Sequence, residues 1–169
     1  MAETETNAAA SCTDAPRPKL QVRNQFVRDL SFENIASQKS TPPKGNPDVK
    51  VGVKLDAKKL SDTDFEVVMT TEVKAMSGED PLFLMEMDYV GIFQIGGVPQ
   101  EQLHPFLMIE CPRMIFPFVR RVVSDITRDG GFPPVNVDSI DFLQLYRQEL
   151  LRRQAAQQQQ AEGTPAGTA

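Results

Sequence analysis

The sequence predicts an α+β domain in which a four-stranded antiparallel sheet carries helices packed on one face. Two observations lead to this fold class. Up to about residue 95, apolar and polar residues alternate in four segments, which is the period of strands exposed on one side. After residue 112, apolar residues recur every three or four positions, which is the period of a helix. Strands followed by helices form separate layers, and 169 residues suffice for one such domain.

The predicted strands cover residues 20–32, 49–55, 65–75 and 82–95. Val49, Val51 and Val53 alternate with lysines and a glycine in the second segment, and Phe65 begins a longer alternation in the third. Polar turn residues separate the last three segments. We expect consecutive strands to pair as an antiparallel meander.

The helical half contains two predicted helices. The first covers residues 114–128, with Pro112 opening it and Gly130–Gly131 closing it. Its apolar stripe is Ile115, Phe118, Val119, Val122 and Ile126. The second begins at a cap on Asp138 and runs to about residue 153. Its stripe is Phe142, Leu143, Tyr146 and Leu150.

Both ends of the chain differ from the body in composition. Residues 1–18 are rich in Ala, Thr, Glu and Pro, and residues 155–169 are rich in Ala and Gln. Neither segment has enough apolar surface to offset the entropy of ordering it. We predict a domain at residues 19–154 between two disordered tails.

The strand at residues 82–95 is apolar on both faces. Leu82 and Leu84 begin the face opposite to Phe83, and Val68 and Val90 add to it. A sheet covered on one side needs only one apolar face, so the surplus suggests contact with a subunit or a client. Five residues are candidates for an oligomer interface: Met85, Met87, Tyr89, Phe118 and Val122.

Composition excludes several classes of protein. Acidic residues outnumber basic ones 23 to 18, which argues against nucleic-acid binding and favours basic partners. No apolar run reaches the ~20 residues of a membrane span, and no leader pattern opens the sequence, so we expect no membrane insertion. Two isolated cysteines fit a reducing cytoplasm.

The sequence offers few groups for catalysis. His104 is the only histidine, and Cys111 lies at a predicted helix start, where a helix dipole could lower the pKa of its thiol. No phosphate-binding loop or nucleophile elbow is present. We therefore expect no catalytic residue, no metal and no cofactor, while a small enzyme using His104 and Cys111 remains an alternative.

Acidic residues form the more informative pattern. Asp29 and Glu33 flank Leu30-Ser31-Phe32, and Glu86 follows Leu84 by two positions, so these last two share a face. Carboxylates on strands are usually solvated. If the strands pair, however, an acidic patch with an apolar centre would suit a basic partner segment.

Four segments resemble the SecB family of protein-export chaperones. They are RDLSFEN at residues 28–34, GEDPLFLMEMDYVGIFQIGG at 78–97, CPRMIFPFVRR at 111–121 and GFPPVNVDSIDF at 131–142. The resemblance covers residues 20–150 in order. It implies an ATP-independent holdase that keeps preproteins unfolded in the cytoplasm and delivers them to the SecA motor. It also implies a homotetramer, a dimer of dimers in which helices lie between two eight-stranded sheets.

The resemblance also assigns residues to two surfaces. The SecA-docking surface of the family corresponds to Asp29, Glu33, Leu84 and Glu86, which would meet the basic, zinc-bearing tail of SecA. The client groove corresponds to Val49, Val51, Val53, Tyr146 and Leu150. A cysteine usual in the family is Met85 here, so its role does not transfer. A SecB-like chaperone serving a toxin–antitoxin pair is a rival, disfavoured because it would lack the docking carboxylates.

Overall fold

The computed structural model describes residues 18–40 and 47–162, with side chains through residue 155. Seven elements occur in this part of the chain. They are β1 (Lys19–Asn34), α1 (Ile35–Gln38), β2 (Asp48–Lys59), β3 (Asp64–Ser77), β4 (Asp80–Gly96), α2 (Gln100–Asp129) and α3 (Phe142–Glu162). The predicted α+β architecture and all four predicted strands are confirmed.

The four strands form one antiparallel sheet in the order β1-β4-β3-β2. The predicted meander holds for β2, β3 and β4 only. β1 pairs with β4 rather than with β2, so both β1 and β2 are edge strands. The sequence between β1 and β2 contains α1 and three prolines instead of a tight hairpin turn, so nothing local ties β1 to β2.

Helix α2 covers one face of the sheet, as expected. The covered face presents alternate residues of β3 and β4, and they pack against the buried side of α2 through Cys111, Ile115 and Val119. Gly91 on β4 permits this close approach, because a Cβ atom there would lie 3.0 Å from Ile115 Cγ2. The uncovered side of the sheet is called the open face below.

Helix α2 begins at Gln100, fourteen residues before its predicted start. Pro105, Pro112 and Pro117 all lie inside it, so Pro112 does not open the helix. Each proline removes one backbone hydrogen bond, yet burial of one side of α2 on the sheet maintains the helix through them. The predicted end is confirmed, since Gly130 N–H donates to Ile126 O and Gly131 has a φ of 84°.

The cap of helix α3 lies three residues later than predicted. Asp141, not Asp138, is the capping residue, because its Oδ1 accepts hydrogen bonds from the N–H groups of Leu143 and Gln144. The helix continues to Glu162, beyond the predicted end near residue 153 and into the segment expected to be a tail. Residues 1–17 and 163–169 of the two predicted tails lie outside the described residues.

The structure corrects three of the five interface candidates. Met85, Met87 and Tyr89 lie on the covered face and are buried beneath the helices of their own subunit. Side chains without exposed surface cannot contact another subunit, so these residues belong to the core. Phe118 is 39% exposed on the outer side of α2, and Val122 is partly buried against the core. Those two remain candidates.

Candidate functional site

The open face brings together all four residues predicted for the acidic surface. Glu33 on β1 lies directly opposite Leu84 on β4, and Ser31 lies opposite Glu86. Residues that face each other in an antiparallel pair share one side of the sheet. Asp29 lies two positions before Ser31 on the same side, opposite Asp88. We call Asp29, Glu33, Leu84 and Glu86 the acidic patch.

The carboxylates of the open face divide into paired and unpaired groups. Arg28 donates to Asp88 Oδ2 at 3.1 Å and to Glu66 Oε1 at 3.5 Å, while Lys74 pairs with Glu72. Within the described part of the chain, Asp29, Glu33 and Glu86 form no ion pair. The three carboxylates predicted for docking are therefore available to a partner.

Two of the paired carboxylates, Asp88 and Glu72, are held in their charged form. The Thr70 hydroxyl donates to Asp88 Oδ1 at 2.6 Å, and this bond together with Arg28 lowers the pKa of Asp88 despite its partial burial. The Lys74 ammonium likewise lowers the pKa of Glu72. These groups stay ionised at neutral pH but are already occupied by cations of the same subunit.

An apolar cluster lies beside the acidic patch. Val68 on β3 pairs with Val90 on β4, and Val90 pairs in turn with Phe26 on β1. Val68 and Val90 are buried although no helix covers this face, whereas Phe26 is 40% exposed. Neighbouring side chains of the same sheet therefore shield most of the predicted surplus of apolar surface. Leu84 and Phe26 remain accessible to a partner.

A groove runs along the β2 edge on the helix side of the sheet. The groove has two parts. The first, about 490 Å³, lies between the β2 residues Val49, Val51 and Val53 and the connection at residues 135–140. The second, about 530 Å³, lies between β2 and α3. The two parts share Val53 and Leu145, so they form one continuous channel. The predicted groove strand thus faces the predicted helical wall.

The helical wall differs in one residue from the prediction. Tyr146 lines the groove, and its hydroxyl lies 3.1 Å from Nδ1 of His104 on α2. Leu150 is 37% exposed and does not line the groove, whereas Glu149 and Arg152 line it at this end of α3. Leu145 takes its place as the apolar residue common to both parts.

Comparison with known proteins gives a consistent result. The family described as "Preprotein translocase subunit SecB" matches residues 13–153. The chain belongs to the SecB family. Protein-export protein SecB of Dinoroseobacter shibae is 56% identical over 165 residues, covering 94% of this chain and 96% of that protein. Protein-export protein SecB of Roseobacter denitrificans is 55% identical over 160 residues, covering 93% and 96%.

A solved structure supports the fold assignment. The SecB-like chaperone of Mycobacterium tuberculosis, in complex with a ChAD peptide from an antitoxin, superimposes with a TM-score of 0.60 at 14% identity. The alignment covers 72% of this chain and 89% of that one. At this identity the likeness concerns the fold alone. The SecB fold can thus be maintained by very different sequences.

The candidate catalytic groups of this SecB chain are not arranged for chemistry. Cys111 is fully buried in the middle of α2, and burial raises the pKa of its thiol to about 12, so the lowering that a helix start could have caused does not occur. His104 contacts Tyr146 at the surface, whereas Cys111 lies about 10 Å farther along α2 and is buried in the core. Among the described residues, no acidic, cysteine or histidine side chains cluster in a way that could hold a metal ion. None of the described helices is long and apolar enough to cross a membrane.

Sequence reasoning missed three contributors to these surfaces. Arg28 and Thr70 organise the open face through Asp88, but their cross-strand contacts depend on a strand register that the sequence does not reveal. Leu145 could have been found, since it lies three positions after the buried Phe142 and therefore on the same side of the helix.

Proposed function

We propose that this chain is an ATP-independent export chaperone that holds non-native preproteins in the cytoplasm and delivers them to SecA. Family membership supports this proposal, and one structural observation carries it. The apolar groove and the acidic patch lie on opposite faces of the same sheet. A client and SecA therefore have separate places to bind on one subunit.

The groove suits extended polypeptide of unspecified sequence. From Val49 to Leu55 the β2 strand measures ~20 Å at the usual rise per residue, enough for six or seven residues of a client. Valine, leucine and tyrosine side chains release water on contact with any apolar segment, at about 25 cal/mol per Å². A client held in this way cannot collapse or aggregate. No chemical step is needed, so the proposed activity is not enzymatic and requires no cofactor.

The acidic patch suits the basic, zinc-bearing tail of SecA. Glu33 and Glu86 flank the partly exposed Leu84 and Asp29 lies farther along β1, so a cationic segment with one apolar residue would complement this surface. The zinc belongs to SecA. In this proposal the patch recognises the motor while the groove retains the preprotein.

Assembly into a homotetramer accounts for the exposed apolar residues outside the groove. The free edge of β1 carries Phe26, Val27 and Leu30, each about two-fifths exposed, and unpaired edges favour pairing with another strand. The outer side of α2 carries Met114 and Phe118, at 40% and 39% exposed. Pairing of β1 edges would make eight-stranded sheets, and packing of α2 outer sides would join two of them. Several grooves on one particle then increase the total affinity for a long client.

Charge reversal of the patch tests the delivery step. Asp29→Lys combined with Glu86→Lys should weaken binding to purified SecA by at least tenfold, as expected when like charges replace a complementary pair. Suppression of the aggregation of a slow-folding secretory precursor should be unchanged, because the groove lies on the other face. Titration calorimetry measures the first quantity and light scattering of the precursor measures the second.

The matched control is Glu79→Lys with Glu101→Lys, which changes the net charge equally at two exposed carboxylates outside the patch. This control should bind SecA like the unaltered protein. Equal loss of SecA binding and client holding in the patch variant would show that the patch is only structural. Equal weakening in the control would assign the effect to net charge.

The rival functions make different predictions. Replacing both His104 and Cys111 with alanine removes the groups on which an enzyme would depend, and undiminished aggregation suppression eliminates that alternative. A chaperone dedicated to a toxin–antitoxin pair has no need of the docking carboxylates. Their presence and their lack of partners in the described chain favour the export function.

A further inference from the structure

We propose that Arg28 is the positioning residue of the acidic patch: it lies at a β-bulge that turns Asp29 and Glu33 onto the open face, and its ion pairs hold that bulge. This inference rests on the proposed function of the patch in SecA docking. Arg28 itself belongs to no surface predicted from the sequence. Its contribution is visible only in the strand register.

The bulge decides which face the carboxylates occupy. Phe26 pairs with Val90 on the open face and Val27 pairs with Tyr89 on the covered face. Uninterrupted alternation would place residues 29, 31 and 33 on the covered face, beneath α2. The register instead skips Arg28, so that Asp29 lies opposite Asp88 on the open face. One extra residue therefore moves Asp29 and Glu33 to the side of Leu84 and Glu86.

The Arg28 side chain ties this bulge to the two neighbouring strands. Its two terminal nitrogens contact Asp88 on β4 at 3.1 Å and Glu66 on β3 at 3.5 Å. Thr70 on β3 donates to the other oxygen of Asp88. We call Arg28, Glu66, Thr70 and Asp88 the clasp. The planar guanidinium spans two carboxylates at once, which the single ammonium of a lysine does less well.

The clasp also removes a repulsion. Asp29 and Asp88 face each other directly across β1 and β4, and like charges in that position destabilise a strand pair. Arg28 neutralises Asp88, so Asp29 can remain opposite to it without an ion pair of its own. The patch keeps its free carboxylate because the neighbouring one is occupied.

Two explanations of Arg28 predict opposite changes in SecA affinity when Arg28 is replaced with alanine. If Arg28 only contributes positive charge, Arg28→Ala makes the open face more acidic and should strengthen binding of a basic partner. If Arg28 positions the patch, Arg28→Ala should weaken SecA binding by about fivefold or more despite the added negative charge. Titration calorimetry with purified SecA, at two salt concentrations, shows whether the affinity of Arg28→Ala is higher or lower than that of the unaltered chain. Loss of affinity supports the positioning role, and unchanged or tighter binding overturns it.

The chain supplies a matched control on the same strand. Arg23 lies at the first β1 bulge, is exposed, and forms no ion pair within the described residues. Arg23→Ala should leave SecA affinity unaltered apart from the small effect of charge. Arg28→Lys preserves the charge, so the charge explanation expects normal affinity, whereas the positioning role expects a value between Arg28→Ala and the unaltered chain. Arg28→Lys therefore decides the question if Arg28→Ala does not assemble.

Amide hydrogen exchange separates this inference from the proposed function. Exchange over residues 29–33 should become faster in Arg28→Ala and remain unaltered in Arg23→Ala, measured on the full chain without SecA. If the unaltered protein fails to bind SecA, the proposed function is wrong. Hydrogen exchange alone then tests whether the clasp holds the bulge. Unaltered exchange in Arg28→Ala overturns the inference in either case.

Discussion

Two adjacent threonines illustrate how much depends on the partner of a single hydroxyl. Thr70 faces the open side and donates to Asp88, whereas Thr71 is buried on the covered face and its Oγ1 has no partner among the described residues. Alternation along the strand already predicts that Thr71 faces the core with Met69 and Val73, and that Thr70 lies on the other face. The register of β3 with β4 adds the partner of Thr70, Asp88.

Their substitution by valine should have opposite effects. Thr71→Val replaces an unsatisfied buried hydroxyl with a methyl group and should raise the free energy of unfolding by about 1 kcal/mol. Thr70→Val removes a hydrogen bond to a carboxylate and should lower it by about the same amount. Urea unfolding of both variants measures the two changes. A loss of stability in Thr71→Val would mean that its hydroxyl has a partner in solution.

The lowered pKa of Asp88 gives a pH dependence of defined sign. Because the folded-state pKa lies below the ordinary value of 3.8, the stabilisation is fully present above that pH and is lost as the pH falls through the folded-state value. The stability advantage of the unaltered chain over Asp88→Asn should therefore be constant from pH 7 to about pH 5 and shrink only at lower pH. Urea unfolding across this range measures it. An advantage that increases on acidification would contradict the assignment.

At the scale of elements, the hydrophobic period predicts which helices and strands exist better than it predicts where each begins and ends. Strands β2 and β3 follow from period-two alternation because only one of their faces is covered, whereas β4 is apolar on both faces. The first fourteen residues of α2 were missed because prolines there argue against a helix, and only packing on the sheet overrides them. Phe118 fits the predicted stripe by spacing but lies on the outer side, since Phe116 and Val123 occupy the buried side instead.

The corrected cap of α3 can be tested with its neighbour as the control. Asp141→Ala removes the acceptor for two N–H groups and should lower the free energy of unfolding by about 1 kcal/mol. Asp138→Ala should have little effect, since Asp138 is exposed and precedes the helix by four residues. Thermal unfolding of the two variants measures the difference. The reverse order of stability would restore the cap predicted from the sequence.

At the scale of the whole molecule, the acidic patch could be predicted only in part. The residue types and the shared face of Leu84 and Glu86 follow from the sequence. The pairing of β1 with β4 does not follow from the sequence, because it joins patch residues more than fifty positions apart through a register that contains two bulges. Met85, Met87 and Tyr89 were assigned to an interface because a sequence does not show which apolar face its own helices cover.

Assembly should depend on the outer side of α2. Light scattering should give a mass roughly four times the 18.8 kDa of one chain. Phe118→Glu places a charge in the proposed contact and should reduce the particle to about half that mass, leaving the β1 contact intact. Leu151→Glu is the control, because Leu151 is exposed on α3 away from both contacts. A four-chain mass in Phe118→Glu would exclude this side of α2 from the interface.

The back-to-back placement of groove and patch has a consequence for the order of events in the proposed export function. A preprotein bound along β2 would leave Asp29, Glu33 and Glu86 uncovered, so an empty particle and a loaded one would present the same docking surface to SecA. We therefore expect the acidic patch alone not to distinguish the two. Preference for loaded particles would then require a second contact, between SecA and the bound preprotein itself.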